Sequence, residues 1–182
     1  MAENQIVIAV TGGVAAFKAA ALTSQLVQNG HSVRAVMTPA AERFIGNATF
    51  AALTGQAVVT DLFDPAFPLG AHIELARSAK LLCIAPATAN FLAKAANGQA
   101  DDLISTLYLC FTGPVIAAPA MNCEMWEKAA VQRNVQALRD DGVSIVDPQE
   151  GWLSCRTKGI GRMAEPAEIF AAISKSIQHL GN

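Results

Sequence analysis

The sequence predicts an α/β fold, a three-layer, doubly wound and mostly parallel sheet, and three observations carry the prediction. The runs Ile6 to Val10, Leu81 to Ile84 and Val115 to Ala118 are apolar at every position, as strands buried on both faces require. Each ends in a turn of glycine, proline or small polar residues that opens into a segment of helical periodicity. With 52% hydrophobic side chains among 182 residues, the chain can bury one continuous core, and residues 1–182 read as a single domain.

Ile6-Val7-Ile8-Ala9-Val10 runs into Thr11-Gly12-Gly13, and a helix follows with Ala16, Ala19, Ala20, Leu22, Leu26 and Val27 on one face, closing at Asn29-Gly30. Ser32 to Met37 is the second strand. A glycine loop at the first turn of such a unit brings backbone N–H groups and a helix N-terminus together, which suits a phosphate. The loop is not GxGxxG: Thr11-Gly12-Gly13-Val14-Ala15 lacks the third glycine, and the second strand runs into Met37-Thr38-Pro39 with no acid to hold a dinucleotide ribose. The hydroxyl of Thr38 fits a phosphate, so a mononucleotide is preferred. The competing reading is that the glycines only tighten a turn.

Two short helices are expected between Ala40 and Leu53, and a short strand at Val58 to Thr60. A proline-containing loop ends at Gly70-Ala71-His72, and His72 to Ala79 is helical. A histidine at a helix start is ordinarily a cap or a surface residue, yet it is also the side chain best placed to move protons near neutral pH. The strand Leu81 to Ile84 leads to Ala85-Pro86-Ala87-Thr88-Ala89-Asn90, whose small residues permit a flat ligand to approach the backbone. Helices are expected from Asn90 to Ala96 and, opened by Asp101-Asp102, from Leu103 to Phe111.

Val115 to Ala118 delivers Pro119-Ala120-Met121-Asn122-Cys123-Glu124-Met125-Trp126. Pro119 cannot continue a ladder and Asn122 is a natural N-cap, so Met121, Asn122 and Met125 are expected at the carboxyl end of a buried strand, where open α/β sheets bind ligands. Read alone, the octapeptide is equally an N-capped helix whose Met and Trp are core. Ala129 to Asp141 is an amphipathic helix and Val143 to Val146 the last strand. Residues 147–163 hold Gly151, Gly159 and Gly161, show no periodicity, and are expected to form a flap tethered between core elements. A helix from Pro166 to about Leu180 packs Ile169, Phe170, Ile173 and Ile177 back on the sheet.

A net charge of -2 and the lack of any basic run argue against nucleic acid as a partner. Met1 to Gln5 carries no basic region and the following apolar run is too short for a signal peptide, so a cytoplasmic protein is expected. Leu103 to Met121 is broken by Thr112-Gly113-Pro114, which argues against a membrane span. Cys83, Cys110, Cys123 and Cys155 show no CxxC spacing, so neither a metal site nor a disulfide framework is indicated; apart from Cys155, most are expected to be small buried side chains.

Four of these stretches, Thr11-Gly12-Gly13-Val14-Ala15, His72-Ile73-Glu74-Leu75, Ala85 to Asn90 and Pro119 to Trp126, resemble the flavin-dependent cysteine decarboxylases. They are most similar to the members that act on 4'-phosphopantothenoylcysteine in coenzyme A biosynthesis. The resemblance implies a Rossmann-like flavoprotein with FMN, Gly12, Gly13 and Thr38 at its phosphate and Thr88, Ala89 and Asn90 along the flavin. It implies His72 as the active-site base, Asn122 as the holder of the substrate carboxylate with Met121, Met125 and Arg162 beside the substrate, and Cys155 as the flap cysteine. It also implies a homo-oligomer, a trimer or multiple of trimers, with the flavin site between subunits. This chain departs from the pattern at Arg156, where glycine usually follows the flap cysteine, and at Lys80, where an aspartate commonly stands.

The implied chemistry explains the parts. A carboxylate cannot leave as CO2 unless the electron pair left behind is delocalised, and oxidising the neighbouring CH2–SH to a thioaldehyde, with oxidised FMN as two-electron acceptor, supplies that sink. The enethiolate that remains must be protonated, a task for Cys155, and reduced, while His72 assists thiol deprotonation at the outset. Three other readings compete. A decarboxylase of a peptide's C-terminal cysteine needs the same chemistry; a non-catalytic FMN-binding regulator is opposed by the joint presence of His72, Asn122 and Cys155; an FMN-linked prenyltransferase has no use for the Asn122 motif or the Cys155 flap.

Overall fold

The computed structural model describes residues 5–180, so the expectation for Met1 to Asn4 lies outside the described residues. In chain order the elements are β1 (Gln5–Val10), α1 (Ala16–Gln28), β2 (Val33–Met37), α2 (Pro39–Glu42), α3 (Asn47–Thr54), α4 (Ala71–Ser78), β3 (Ala79–Ala87), α5 (Ala89–Ala96) and α6 (Leu103–Cys110). They continue as β4 (Val115–Pro119), α7 (Cys123–Trp126), α8 (Ala129–Asp140), β5 (Ser144–Ile145), β6 (Gln149–Trp152), β7 (Lys158–Arg162) and α9 (Pro166–Leu180).

Five parallel strands stand in the order β2-β1-β3-β4-β5. The uninterrupted apolar runs follow from burial on both faces. In β1, Ile6, Ile8 and Val10 face the layer of α1, α3 and α9, where Leu22, Leu26, Phe50, Ile169 and Ile173 pack. Val7 and Ala9 face the opposite layer, with Leu75, Leu92, Ile104, Val135 and Leu138 from α4, α5, α6 and α8. This is the expected three-layer, Rossmann-like architecture, and its order reverses between β1 and β3. Such a reversal opens a crevice at the carboxyl ends of the two strands, because their connections leave to opposite faces of the sheet.

Four expectations are corrected. Val58 to Thr60 makes no strand: Val59 forms a single parallel bridge to Val36 at the sheet's outer edge. The last strand shrinks to Ser144–Ile145, paired only to Ile116 and Ala117. The flap is an antiparallel hairpin, β6 against β7, rather than an irregular loop. Its alternation is hidden because glycines stand where side chains would collide with the body of the domain. A Cβ at Gly159 would lie 2.8 Å from that of Cys123, and one at Gly161, where φ is +154°, would run into the carbonyl oxygen of Met121. Of the four cysteines only Cys83 is buried, against the expectation that most are.

Candidate active site

The ends of β1, β3 and β4, together with the flap, enclose a cavity of about 970 Å³. Gly12 shapes its floor. A Cβ there would sit 2.5 Å from that of Ala40 and 2.9 Å from the Ala40 carbonyl carbon, so only glycine lets the β1–α1 turn touch the start of α2. Gly13 has more room, since a Cβ at that position would meet the Thr88 methyl at 3.7 Å. No side chain caps α1, whose N-cap residue is Ala15; the N–H groups of Ala16 and Lys18 turn back to the carbonyls of Gly13 and Ala15 at 3.0 and 2.9 Å, and the positive end of the helix faces the cavity. Thr38 caps α2, its Oγ1 accepting from the Ala41 N–H at 3.1 Å, and the hydroxyl proton remains available to an anion.

Thr11 ties two strand ends together. Its hydroxyl donates to the Pro86 carbonyl at 2.6 Å, while its oxygen accepts from the Thr88 N–H at 3.1 Å. That bond fixes Thr88, which in turn caps α5 and places Ala89 and Asn90 on the cavity wall. On the opposite wall Asn122 caps α7, accepting at Oδ1 from the N–H groups of Glu124 at 2.7 Å and Met125 at 3.4 Å. Because Oδ1 is committed to the backbone, the amide nitrogen is the group left to donate to a ligand. Met121 and Met125 stand beside it.

The flap closes the remaining side with Trp152, Leu153, Ser154 and Arg162. Cys155 is exposed at the hairpin tip next to these residues, with its sulfur 3.0 Å from the Thr157 hydroxyl. The Thr157 hydroxyl, opposed by desolvation and helped by nearby N–H groups and the Asn122 amide, holds the thiol below its ordinary pKa. Arg156 adopts φ +63°, a region that glycine enters freely; a non-glycine residue there is strained by about 1 kcal/mol or more.

His72 does not line this cavity. It stands half-buried in the first turn of α4, with Nδ1 buried and unpartnered among the described residues. Two contributors were not legible in the sequence. Lys18, buried in α1, donates to the Met163 carbonyl at 2.8 Å and pairs with Glu165 at 3.0 Å, and the same Glu165 oxygen lies 3.0 Å from Arg162. A single carboxylate therefore latches the stem of the flap to α1. The second is Lys94, which lines the cavity while paired with Asp101 at 2.6 Å and Asp102 at 2.7 Å.

A sequence model of the family described as Flavoprotein matches residues 1–178. The chain belongs to the flavoprotein family. Among its curated relatives is the coenzyme A biosynthesis bifunctional protein CoaBC of Bacillus subtilis (strain 168), 45% identical over 174 residues, which are 95% of this chain and 43% of the relative. CoaBC of Haemophilus influenzae is 42% identical over 172 residues, 94% of this chain and 43% of that protein. The chain thus spans less than half the length of these relatives. Two solved structures share the whole fold. One, the FMN-dependent cysteine decarboxylase SpaF, superposes with a TM-score of 0.86 at 37% identity, covering 100% of this chain and 99% of the other. The second, a mutant PPC decarboxylase complexed with pantothenoylaminoethenethiol, gives a TM-score of 0.85 at 30% identity, covering 94% and 97%.

Proposed function

We propose that this chain binds FMN and decarboxylates 4'-phosphopantothenoylcysteine to 4'-phosphopantetheine, a step of coenzyme A biosynthesis. The observation that carries the proposal is the meeting of three features in one cavity at the β1/β3 crevice: the glycine-shaped start of α1, with no side-chain cap, the Asn122 amide and the flap, whose Trp152, Leu153 and Ser154 line the cavity while Cys155 stands exposed at the tip, outside the lining. The cavity fits FMN on its own evidence. Its volume, about 970 Å³, is at the upper end of ligand sites, its floor at Gly12 tolerates no side chain, and the uncapped N-terminus suits a dianion. Gly12, Gly13 and Thr38 would hold the phosphate, with Thr88, Ala89 and Asn90 along the ring system. When bound, the flavin supplies a two-electron acceptor that later returns the pair.

The chain's own residues then divide the work. Asn122 donates from its amide nitrogen to the substrate carboxylate, and Met121, Met125 and Arg162 flank the substrate. The flap excludes water, and Cys155 gives a proton to the enethiolate left by CO2. His72 takes the substrate thiol proton, and its position outside its own chain's cavity supports a site shared between subunits of a homotrimer, which we place in the cytoplasm. Among the described residues no helix is long and apolar enough to cross a membrane.

A second reading, decarboxylation of a peptide's terminal cysteine, is favoured by the likeness to a cysteine decarboxylase at 37% identity. Incubating FMN-loaded protein with 4'-phosphopantothenoylcysteine and, separately, with a cysteine-terminated peptide decides between them. Release of CO2 and 4'-phosphopantetheine in the first arm is expected. Turnover of the peptide alone, or of neither compound, overturns the proposal.

A further inference from the structure

We propose that Thr157 is a positioning residue for the flap cysteine: its hydroxyl aims the Cys155 sulfur and donates a hydrogen bond to the thiolate formed when Cys155 gives up its proton. The inference rests on the decarboxylase reading for the proton's destination, and on the hairpin geometry for everything else.

The tip of the β6–β7 hairpin is a closed turn. The Leu153 N–H donates to the Thr157 carbonyl at 2.9 Å, and the Arg156 N–H donates to the Leu153 carbonyl at 2.9 Å. Arg156 in its left-handed conformation reverses the chain between Cys155 and Thr157 and brings both side chains to one side. The Thr157 Oγ1 then lies 3.0 Å from the Cys155 sulfur and 3.9 Å from that of Cys123, so one hydroxyl stands between the flap and the start of α7. Cys123 itself is pressed against Gly159 of β7, where a Cβ would approach its sulfur to 3.0 Å, which fixes the wall that Thr157 leans on.

Chemically, the step needs a donor at this place. As the S–H bond of Cys155 breaks and a C–H bond forms at the carbon that lost CO2, an electron pair remains on the sulfur. A hydroxyl within 3.0 Å can turn its proton toward that charge, and charge-assisted hydrogen bonds are stronger than neutral ones. Solvent at the exposed tip restores the thiol afterwards. The same contact is the leading influence that lowers the thiol's pKa.

The test compares Thr157→Val, which keeps the shape and loses the hydroxyl, Thr157→Ala, which also removes bulk, and Thr157→Ser, which keeps the hydroxyl. The rate of Cys155 alkylation by iodoacetamide is followed across pH in the FMN-loaded protein by peptide mass spectrometry, with exposed Cys110 as reference in the same digest. Valine and alanine should move the Cys155 profile to higher pH and slow alkylation at pH 7 about three- to tenfold, while serine restores it. With 4'-phosphopantothenoylcysteine, valine should slow formation of 4'-phosphopantetheine more than release of CO2. An unchanged profile in valine and alanine, or a serine variant as impaired as valine, overturns the role. Because alkylation needs no substrate, a shifted profile in a protein that turns over no 4'-phosphopantothenoylcysteine would overturn the proposed reaction and leave the Thr157–Cys155 contact standing.

Discussion

The backbone N–H of Met121 donates to the carbonyl oxygen of Gly161 at 3.0 Å, so the second strand of the flap is stitched to the loop that carries the Asn122 cap. The approach is close enough that φ at Gly161 is +154° and no Cβ can be placed there without striking the Met121 carbonyl.

Gly161→Ala should therefore detach the flap from the sheet's end and leave the sheet intact. The five-stranded core owes nothing to this contact, so the melting transition should stay near that of the wild type. Turnover should fall about 10²-fold, the scale on which small misplacements of reacting groups act. Limited proteolysis within residues 147–163, read beside the decarboxylation rate, checks both. Normal activity in the alanine variant would show that the stitch does not position the flap.

The two neighbouring glycines of the first turn should behave differently. At Gly12 an added methyl meets the Ala40 backbone at 2.9 Å, whereas at Gly13 it meets only the Thr88 methyl, at 3.7 Å, and the edge of the Pro86 ring. Gly12→Ala should weaken FMN binding about ten- to a hundredfold, the cost of overpacking a tight contact. Gly13→Ala should bind normally. Gly13→Asp, which sets a carboxylate beside the proposed phosphate site, should purify colourless. Flavin-to-protein stoichiometry after gel filtration orders the three.

The sheet was legible in the sequence because its physics is local. Runs such as Ile6 to Val10 are apolar throughout only if both faces are covered, and the turns that follow them name their own breakers. The flap hairpin was hidden for an equally local reason: Gly159 and Gly161 erase the alternation because Cys123 and Met121 occupy the space side chains would need. Neither reason reaches Lys18 and Glu165, which are 147 positions apart and meet only once α1 and α9 flank the same sheet face. His72 is a third case, since its chemistry could be read from its type while its absence from its own chain's cavity could not.

Asp102 supplies a pH-dependent prediction. Burial raises its carboxyl pKa, but the bonds to Lys94 and to the Ser105 N–H and hydroxyl more than offset this and leave it below the ordinary value. A depressed folded-state pKa stabilises the protein above the unfolded carboxyl's pKa, near 4, and that contribution fades as the pH falls through the folded value. Asp102→Asn keeps a capping oxygen for α6 but carries no charge. Its stability deficit against the wild type should be full at pH 7 and shrink progressively below about pH 4. Urea midpoints at the two pH values measure it, and a deficit that does not change with pH would show that the Lys94 pairing contributes nothing.

His72→Asn should fold, keep its flavin and lose about 10²- to 10⁴-fold in rate, the usual effect of removing a general base. Since His72 lies outside its own chain's cavity, two inactive variants should rescue each other. Subunits carrying His72→Asn and subunits carrying Cys155→Ser, unfolded and reassembled together, form some sites with an intact cavity from one and an intact histidine from the other. Random mixing should return roughly a quarter of wild-type activity. No recovery in the mixture would place His72 elsewhere in the reaction or in the assembly.

The sharpest separation is between Cys155 and Asn122, because in the proposed reaction one acts after CO2 has left and the other before. Asn122→Asp should fold, since an aspartate oxygen still accepts from the Glu124 and Met125 N–H groups that the asparagine caps. It replaces the donating amide nitrogen with a negative oxygen facing the substrate carboxylate, so the flavin should stay oxidised and no CO2 should form. Cys155→Ser should leave binding, oxidation and CO2 release in place. A serine hydroxyl is a much weaker acid than a thiol, and the Thr157 hydroxyl beside it cannot make up the difference. The reaction should therefore stop with the flavin's visible absorbance bleached and a product two hydrogens lighter than 4'-phosphopantetheine. Product mass and flavin absorbance, read from the same reaction, distinguish the two variants. Normal product from the serine variant at a normal rate would remove Cys155 from the chemistry and with it the reason for Thr157 to stand where it does.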